Sequence, residues 1–142
     1  MIVFDMDGTL ALVGDRIKHI EKTPKDWDSF FSESMSDLPN NPIIDIFIAL
    51  EEIGKDIIIV TGRDERYRNE TLRWLTFQGI LIHTRDLYMR PAYDKGKDTE
   101  IKKELVADFA HDIEMVFEDR SSVVKMWREM GITCLQVADG DF

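Results

Sequence analysis

Three times along this chain a short, unbroken apolar run is cut off by polar residues that can carry chemistry. Met1-Ile2-Val3-Phe4 stops at Asp5 and is followed by Gly8; Asp56-Ile57-Ile58-Ile59-Val60 stops at Thr61-Gly62; Glu114-Met115-Val116-Phe117 stops at Glu118-Asp119. Runs this short, with no polar alternation, read as strands buried on both faces, the condition of strands in a parallel sheet. Parallel neighbours need a crossover, and the intervening segments supply helices. Asn41-Pro42 looks like an N-cap with proline at the first helical position, and Ile43, Ile46, Phe47 and Leu50 share a face before Gly54. A second helix is predicted from about Asp64 to Gln78, with Leu72, Leu75 and Phe77, ending at Gly79. A third runs from Asp98 to about Ala110 on Ile101, Leu105 and Phe109, and a fourth from Ser121 or Ser122 through Val123, Val124 and Trp127 to Gly131. A weaker strand at Leu87-Tyr88-Met89, ended by Pro91, and a last strand from Ile132 to Val137 complete five.

This alternation predicts an α/β fold: a doubly wound, mostly parallel five-stranded sheet between helices. At 142 residues one domain is expected. Residues 14–40 interrupt the pattern and read as a small insert over the sheet edge, with Trp27, Phe30, Phe31 and Met35 on one face of a short helix. These aromatics suit packing better than stacking on a base. Cys134 has no cysteine partner and sits in an apolar strand, so it reads as a core residue. One cysteine and three histidines leave no set for a four-ligand zinc site. No apolar run approaches the ~20 residues of a membrane span and no secretory signal opens the chain, so a cytoplasmic protein with no membrane partner is expected. A net charge of −10 argues against a protein that coats nucleic acid through a uniformly basic surface, although basic residues concentrate between 61 and 103.

In doubly wound sheets ligands bind beyond the carboxyl ends of the strands, where strand order reverses. That rim would gather Asp5, Asp7, Glu118 and Asp119, with Gly8, Thr9, Thr61, Gly62 and Arg63. Close carboxylates raise one another's pKa unless a cation neutralises them, and an all-oxygen donor set suits Mg²⁺. In an extended Asp-x-Asp the two side chains face the same way, one placed as a nucleophile and the other as a general acid/base for phosphoryl chemistry. Gly8 permits a turn that leaves amides free for phosphate oxygens, and Thr9 can close it. The plain alternatives are that Asp5 and Asp7 close a turn, Asp119 caps a helix, Asp64 caps another, and Lys102 with Lys103 only solvates a helix face.

Asp5-Met6-Asp7-Gly8-Thr9 after an N-terminal strand, Thr61-Gly62-Arg63 and Glu118-Asp119 together resemble the motifs of haloacid dehalogenase-like (HAD) phosphatases. Arg90-Pro91, Lys97-Asp98, Ile101 to Glu104, Glu118-Asp119-Arg120, Met126-Trp127-Arg128 and the ending Gln136 to Phe142 are similar to the 3'-phosphatase domains of bacteriophage polynucleotide kinases. The resemblance implies Asp5 as nucleophile through an aspartyl phosphate and Asp7 as general acid/base. It implies Mg²⁺ held by Asp5, Asp7 through its backbone carbonyl, Glu118 and Asp119. Thr61 and Lys102 would hold phosphoryl oxygens, Arg16 and Arg63 would contact phosphate or substrate, and Asp98 would orient a basic partner. Glu118 departs from the family's aspartate. No Gly-x-x-x-x-Gly-Lys-Ser/Thr loop occurs, so 5'-phosphorylation is not expected from this polypeptide, and a separate kinase or ligase would share the work of end repair. The implied substrate is a phosphorylated nucleic-acid end or nucleotide. Two alternatives stand beside it: a phosphatase for small molecules such as nucleoside monophosphates or sugar phosphates, and a non-catalytic metal- or phosphate-binding module.

Overall fold

The computed structural model describes residues 1–140; Asp141 and Phe142, the end of the C-terminal stretch that carries the resemblance, lie outside the described residues. Five strands, β1 (Ile2–Phe4), β4 (Ile57–Asp64), β5 (Leu87–Arg90), β6 (Met115–Arg120) and β7 (Thr133–Gly140), form one sheet in the order β5-β4-β1-β6-β7. Every pairing is parallel. The chain leaves β1 toward β4 and β5, then returns to the other side of β1 for β6 and β7. The order therefore reverses at β1.

Alternation along the strands divides the core between two faces. Ile2, Phe4, Ile59 and Phe117 point to the side covered by α3 (Asn41–Glu52) and α4 (Arg68–Phe77), meeting Ile44, Phe47, Trp74 and Leu75. Val3, Ile58, Val60 and Val116 point to the side of α5 (Asp98–Val106) and α6 (Ser121–Glu129), meeting Val106, Val123, Val124 and Trp127. Phe4 stacks on Phe117 at 4.4 Å and touches Phe47 at 4.9 Å, so truncating it to alanine removes contact from both neighbours, a loss of about 3–5 kcal/mol. Cys134 is buried in the second cluster.

Between β1 and α3 the chain forms two short helices, α1 (Lys18–Glu21) and α2 (Trp27–Ser32), and a two-stranded antiparallel ribbon of β2 (Ala11–Leu12) and β3 (Leu38–Pro39). The ribbon is unheralded in the sequence, because two residues per strand carry no period. Phe30 and Phe31 are buried with Ile20, while Trp27 stays at the surface. Asp26 caps α2 by accepting from the Ser29 amide.

Element ends differ from their predicted positions. β4 does not stop at Thr61-Gly62 but runs to Asp64, with a break in register between Thr61 and Asp64 that lets Arg90 pair beyond it. The helix expected from Asp64 starts at Arg68, after a 3-10 turn that Asp64 caps through the Arg66 amide. The helix expected to reach Ala110 ends at Val106; Phe109 at φ −136 has left helical geometry. Among the described residues no helix is long and apolar enough to cross a membrane.

Candidate active site

The three central strands β4, β1 and β6 end side by side, so their C-terminal residues meet where strand order reverses. Asp5 is still on the ladder, donating its amide to the Phe117 carbonyl at 2.9 Å. The chain then turns sharply: the amides of Thr9, Leu10 and Ala11 all point at the Met6 carbonyl. Gly8 lies at φ +91, and a Cβ there would overlap the Asp119 carboxylate, so the turn and the approach of Asp119 both demand glycine. Thr9, fully buried, donates its hydroxyl to Asp119 at 3.4 Å.

Because the chain bends at Met6, the two aspartates do not face the same way, as an extended Asp-x-Asp would require. Asp5 turns toward β6 and α5. Its Oδ1 accepts from Lys102 Nζ at 2.7 Å, and the same ammonium is 2.7 Å from Glu118 Oε2 and 3.6 Å from Asp98 Oδ2. Lys102 is 1% exposed, a buried cation rather than a solvating surface group. Burial and the neighbouring Glu118 raise the Asp5 carboxyl well above its ordinary range. Burial, with Asp119 adding to it against Lys102, pushes Glu118 up to about 7, and burial with Asp5 pushes Asp119 up to about 7. Burial opposes the charge on Lys102, but Asp5, Asp98 and Glu118 outweigh it and hold its pKa high.

Asp7 turns the opposite way, into two arginines. Arg63 Nε and Nη2 donate to its two oxygens at 2.9 and 2.7 Å, and Arg16 Nη2 also donates to Oδ1. Burial alone would raise this carboxyl; Arg63 and Arg16 overcome it and hold Asp7 well below the usual carboxylate range. Arg16 and Arg63, expected to contact substrate, are 3% and 0% exposed. Their remaining donors go to Asp37, Thr71 and the Phe30 carbonyl, so their side chains back Asp7 instead of facing an incoming phosphate. Asp37 left no trace in the sequence: it lies before β3, and the fold brings it to Arg16 at 2.5 Å.

Thr61 is buried and its hydroxyl accepts from the Arg63 amide at 3.1 Å, fixing the β4 break. Gly62 is needed because a side chain there would overlap Asp98 Oδ1. Asp98 in turn accepts from Arg90 at 3.3 Å and lies 3.6 Å from Arg120 and Lys102. Arg90 and Arg120, the last residues of β5 and β6, are further members of this network; the sequence pointed to them only through the resemblance. Asp5, Asp7, Thr61, Gly62, Asp98, Lys102, Glu118 and Asp119 all line one cavity of about 590 Å³, whereas Gly8, Thr9, Arg16 and Arg63 are not part of its lining. That volume suits a nucleotide-sized ligand.

Asp5, Glu118 and Asp119 each bring a carboxylate oxygen within 4.8 Å of the others, and all three residues are buried. Among the described residues, three buried acids meet the ammonium of Lys102, which leaves negative charge to neutralise, and the three donors are hard carboxylate oxygens. The set fits a hard divalent cation. The Asp7 side chain, committed to its arginines, is not part of it.

Known proteins resemble this chain in sequence and fold. A chain in a solved structure of a Pnkp1/Rnl/Hen1 complex is 34% identical, with a TM-score of 0.82 over 99% of this chain and 46% of that one. A second, from the Pnkp1/Rnl/Hen1 RNA repair complex, is 33% identical with a TM-score of 0.83 over 99% of this chain and 43% of that one. A protein of Autographa californica nuclear polyhedrosis virus, named as a bifunctional polynucleotide kinase/RNA ligase, is 27% identical over 92% of this chain and 18% of its own length. The chain thus spans less than half the length of these relatives. A class C acid phosphatase of Bacillus anthracis, 23% identical with a TM-score of 0.64 over 91% of this chain and 58% of that one, shares the fold. The model of the polynucleotide kinase PNKP phosphatase domain matches residues 1–142 throughout. The chain belongs to this HAD phosphatase family, the phosphatase domains of polynucleotide kinases.

Proposed function

We propose that the protein is a Mg²⁺-dependent phosphomonoesterase that works through an aspartyl phosphate and removes 3'-phosphates from polynucleotide ends. The observation that carries this reading is Asp5 at the end of β1, on the cavity wall, with Lys102 Nζ at 2.7 Å and Glu118 and Asp119 close by. An Asp5 oxygen attacks phosphorus, the bond from phosphorus to the ester oxygen breaks, and the leaving alkoxide takes a proton. Water then attacks the acyl phosphate, losing a proton as the Asp5 carboxylate is freed. Asp5, Glu118 and Asp119 would hold the ion, which when bound neutralises this cluster and the charge on the transferring phosphoryl group. Lys102 and Thr61 hold phosphoryl oxygens in this scheme, and Asp98 keeps Lys102 in place.

Asp7 is the proton carrier, and its environment favours one half of that role. Held by Arg63 and Arg16 as an ionised carboxylate, it is ready to accept the proton of water in the second half-reaction. Donating to the leaving alkoxide requires it to enter protonated, which the two guanidiniums oppose. A separate kinase or ligase acting on the same ends is the partner this reading implies, in keeping with the repair complex in which its relatives occur.

Phosphate release from a 3'-phosphorylated oligonucleotide, with Mg²⁺ and with EDTA, tests the proposal. Turnover that EDTA abolishes and that exceeds turnover of a mononucleotide at matched concentration is expected. Equal or poorer turnover of the oligonucleotide assigns the enzyme to small phosphates instead.

A further inference from the structure

The cavity wall away from the acids is built to a different plan. Tyr93, in the loop between β5 and α5, lines the cavity and is 72% exposed. Its backbone φ is +63, a conformation a bulky L residue adopts only when its surroundings impose it. Asp64 imposes it by accepting from the Tyr93 amide at 2.9 Å. The Arg66 guanidinium lies 4.1 Å from the ring centroid, and Arg66 is itself anchored at 3.0 Å to Asp64 and at 3.0 Å to Asp28 at the start of α2. One face of the ring is therefore covered by a fixed cation, and the exposure of the residue leaves the other face open.

Charge agrees with this geometry. Lys95 and Lys97 follow in the same loop and line the same cavity, and neither is in an ion pair among the described residues. Asp94 lies beside them but accepts from the Gly96 amide at 2.7 Å, so in a chain of net charge −10 two ammonium groups without an ion pair among the described residues stand at this cavity. An aromatic face backed by a cation suits a nucleobase, and ammonium groups beside it suit a phosphodiester.

We propose that Tyr93 is a stacking platform for a nucleobase within the last two nucleotides of the strand, with Lys95 and Lys97 meeting the phosphodiester between them. This rests on the proposed function and deepens it: the substrate is a strand end, read through its base and backbone as well as its phosphate.

Two measurements test it. Tyr93→Ala lowers the ratio of kcat/KM for a 3'-phosphorylated oligonucleotide to that for p-nitrophenyl phosphate by roughly 5- to 150-fold, through KM, and Tyr93→Phe restores it. In the Asp5→Asn background, which binds without turnover, a 3'-phosphorylated oligonucleotide carries 2-aminopurine at its last or penultimate position. Its fluorescence is quenched on binding; Tyr93→Ala abolishes the quench and Tyr93→Phe keeps it. A quench that survives Tyr93→Ala, or equal loss on both substrates, overturns the platform. Hydrolysis of p-nitrophenyl phosphate with none of any oligonucleotide overturns the proposed function instead, and the quench, which needs no turnover, still decides the role of Tyr93.

Discussion

Asp5 and Asp7 are separated by one residue, line one cavity and are both aspartates, yet they live in opposite electrostatic surroundings. Asp5 is crowded by Glu118 and Asp119 around a single ammonium, and its carboxyl is driven up. Asp7 has two guanidiniums to itself, shared only with Asp37, and is driven down. The difference comes from the bend at Met6, which sends one side chain toward β6 and α5 and the other toward the arginines. One half of the site concentrates carboxylates that a cation would balance; the other is neutralised by the chain itself.

Replacing each acid by its neutral isostere should separate activity from stability. Asp5→Asn removes the attacking oxygen, and phosphate release should fall by at least about 1,000-fold. In metal-free buffer its stability should be unchanged or higher, since a repelling charge is lost while Lys102 keeps Glu118 at 2.7 Å and Asp98 at 3.6 Å. Residual turnover within tenfold of the parent would deny Asp5 the nucleophile's place. Asp7→Asn leaves Arg63, with no exposure, with Asp37 at 3.5 Å as its remaining acid among the described residues, so urea unfolding should show a loss of about 2–4 kcal/mol. Equal stability effects for the two variants would erase the contrast.

The cation should act on the Asp5 half alone. Mg²⁺ at 100 times its dissociation constant should stabilise the parent by about 2.7 kcal/mol, seen as a raised midpoint that EDTA reverses. Asp119→Asn should abolish that shift. Gly8→Ala should do so too, because its Cβ overlaps the Asp119 carboxylate. A midpoint indifferent to Mg²⁺ in the parent removes the cation from the cluster.

What the sequence could convey follows the same division. Strands β1, β4 and β6 were legible because an unbroken apolar run needs no partner to identify it. The carboxylates at their ends were legible because position on the strand fixes position on the rim. The direction of Asp7 was not, since one turn decides it, nor was the role of Asp37 or Tyr93, which depends on contacts with distant residues. Lys102 sits beside Ile101 in a helix whose pattern gave only one inward face; the inward turn of Lys102 is set by Asp5 and Glu118, far along the chain. The i,i+4 spacing from Asp98 was the one local hint.

Asp64 repeats the Asp7 logic at the outer wall and supplies the smallest effect. Burial would raise its carboxyl, but bonds from Arg66 and the Tyr93 amide lower it. A folded pKa below the unfolded value of about 3.9 means that the carboxylate contributes stability above that pH and loses it as pH falls through the folded value. Asp64→Asn should therefore cost about 1.5–3 kcal/mol at pH 7, where charge-assisted bonds are lost, and progressively less below about pH 4. Urea unfolding at pH 7 and pH 3 reads the gap. If the gap is the same at both, the arginine at this wall does not neutralise its acid as the pair behind Asp7 does, and Tyr93 is held by its backbone bond alone.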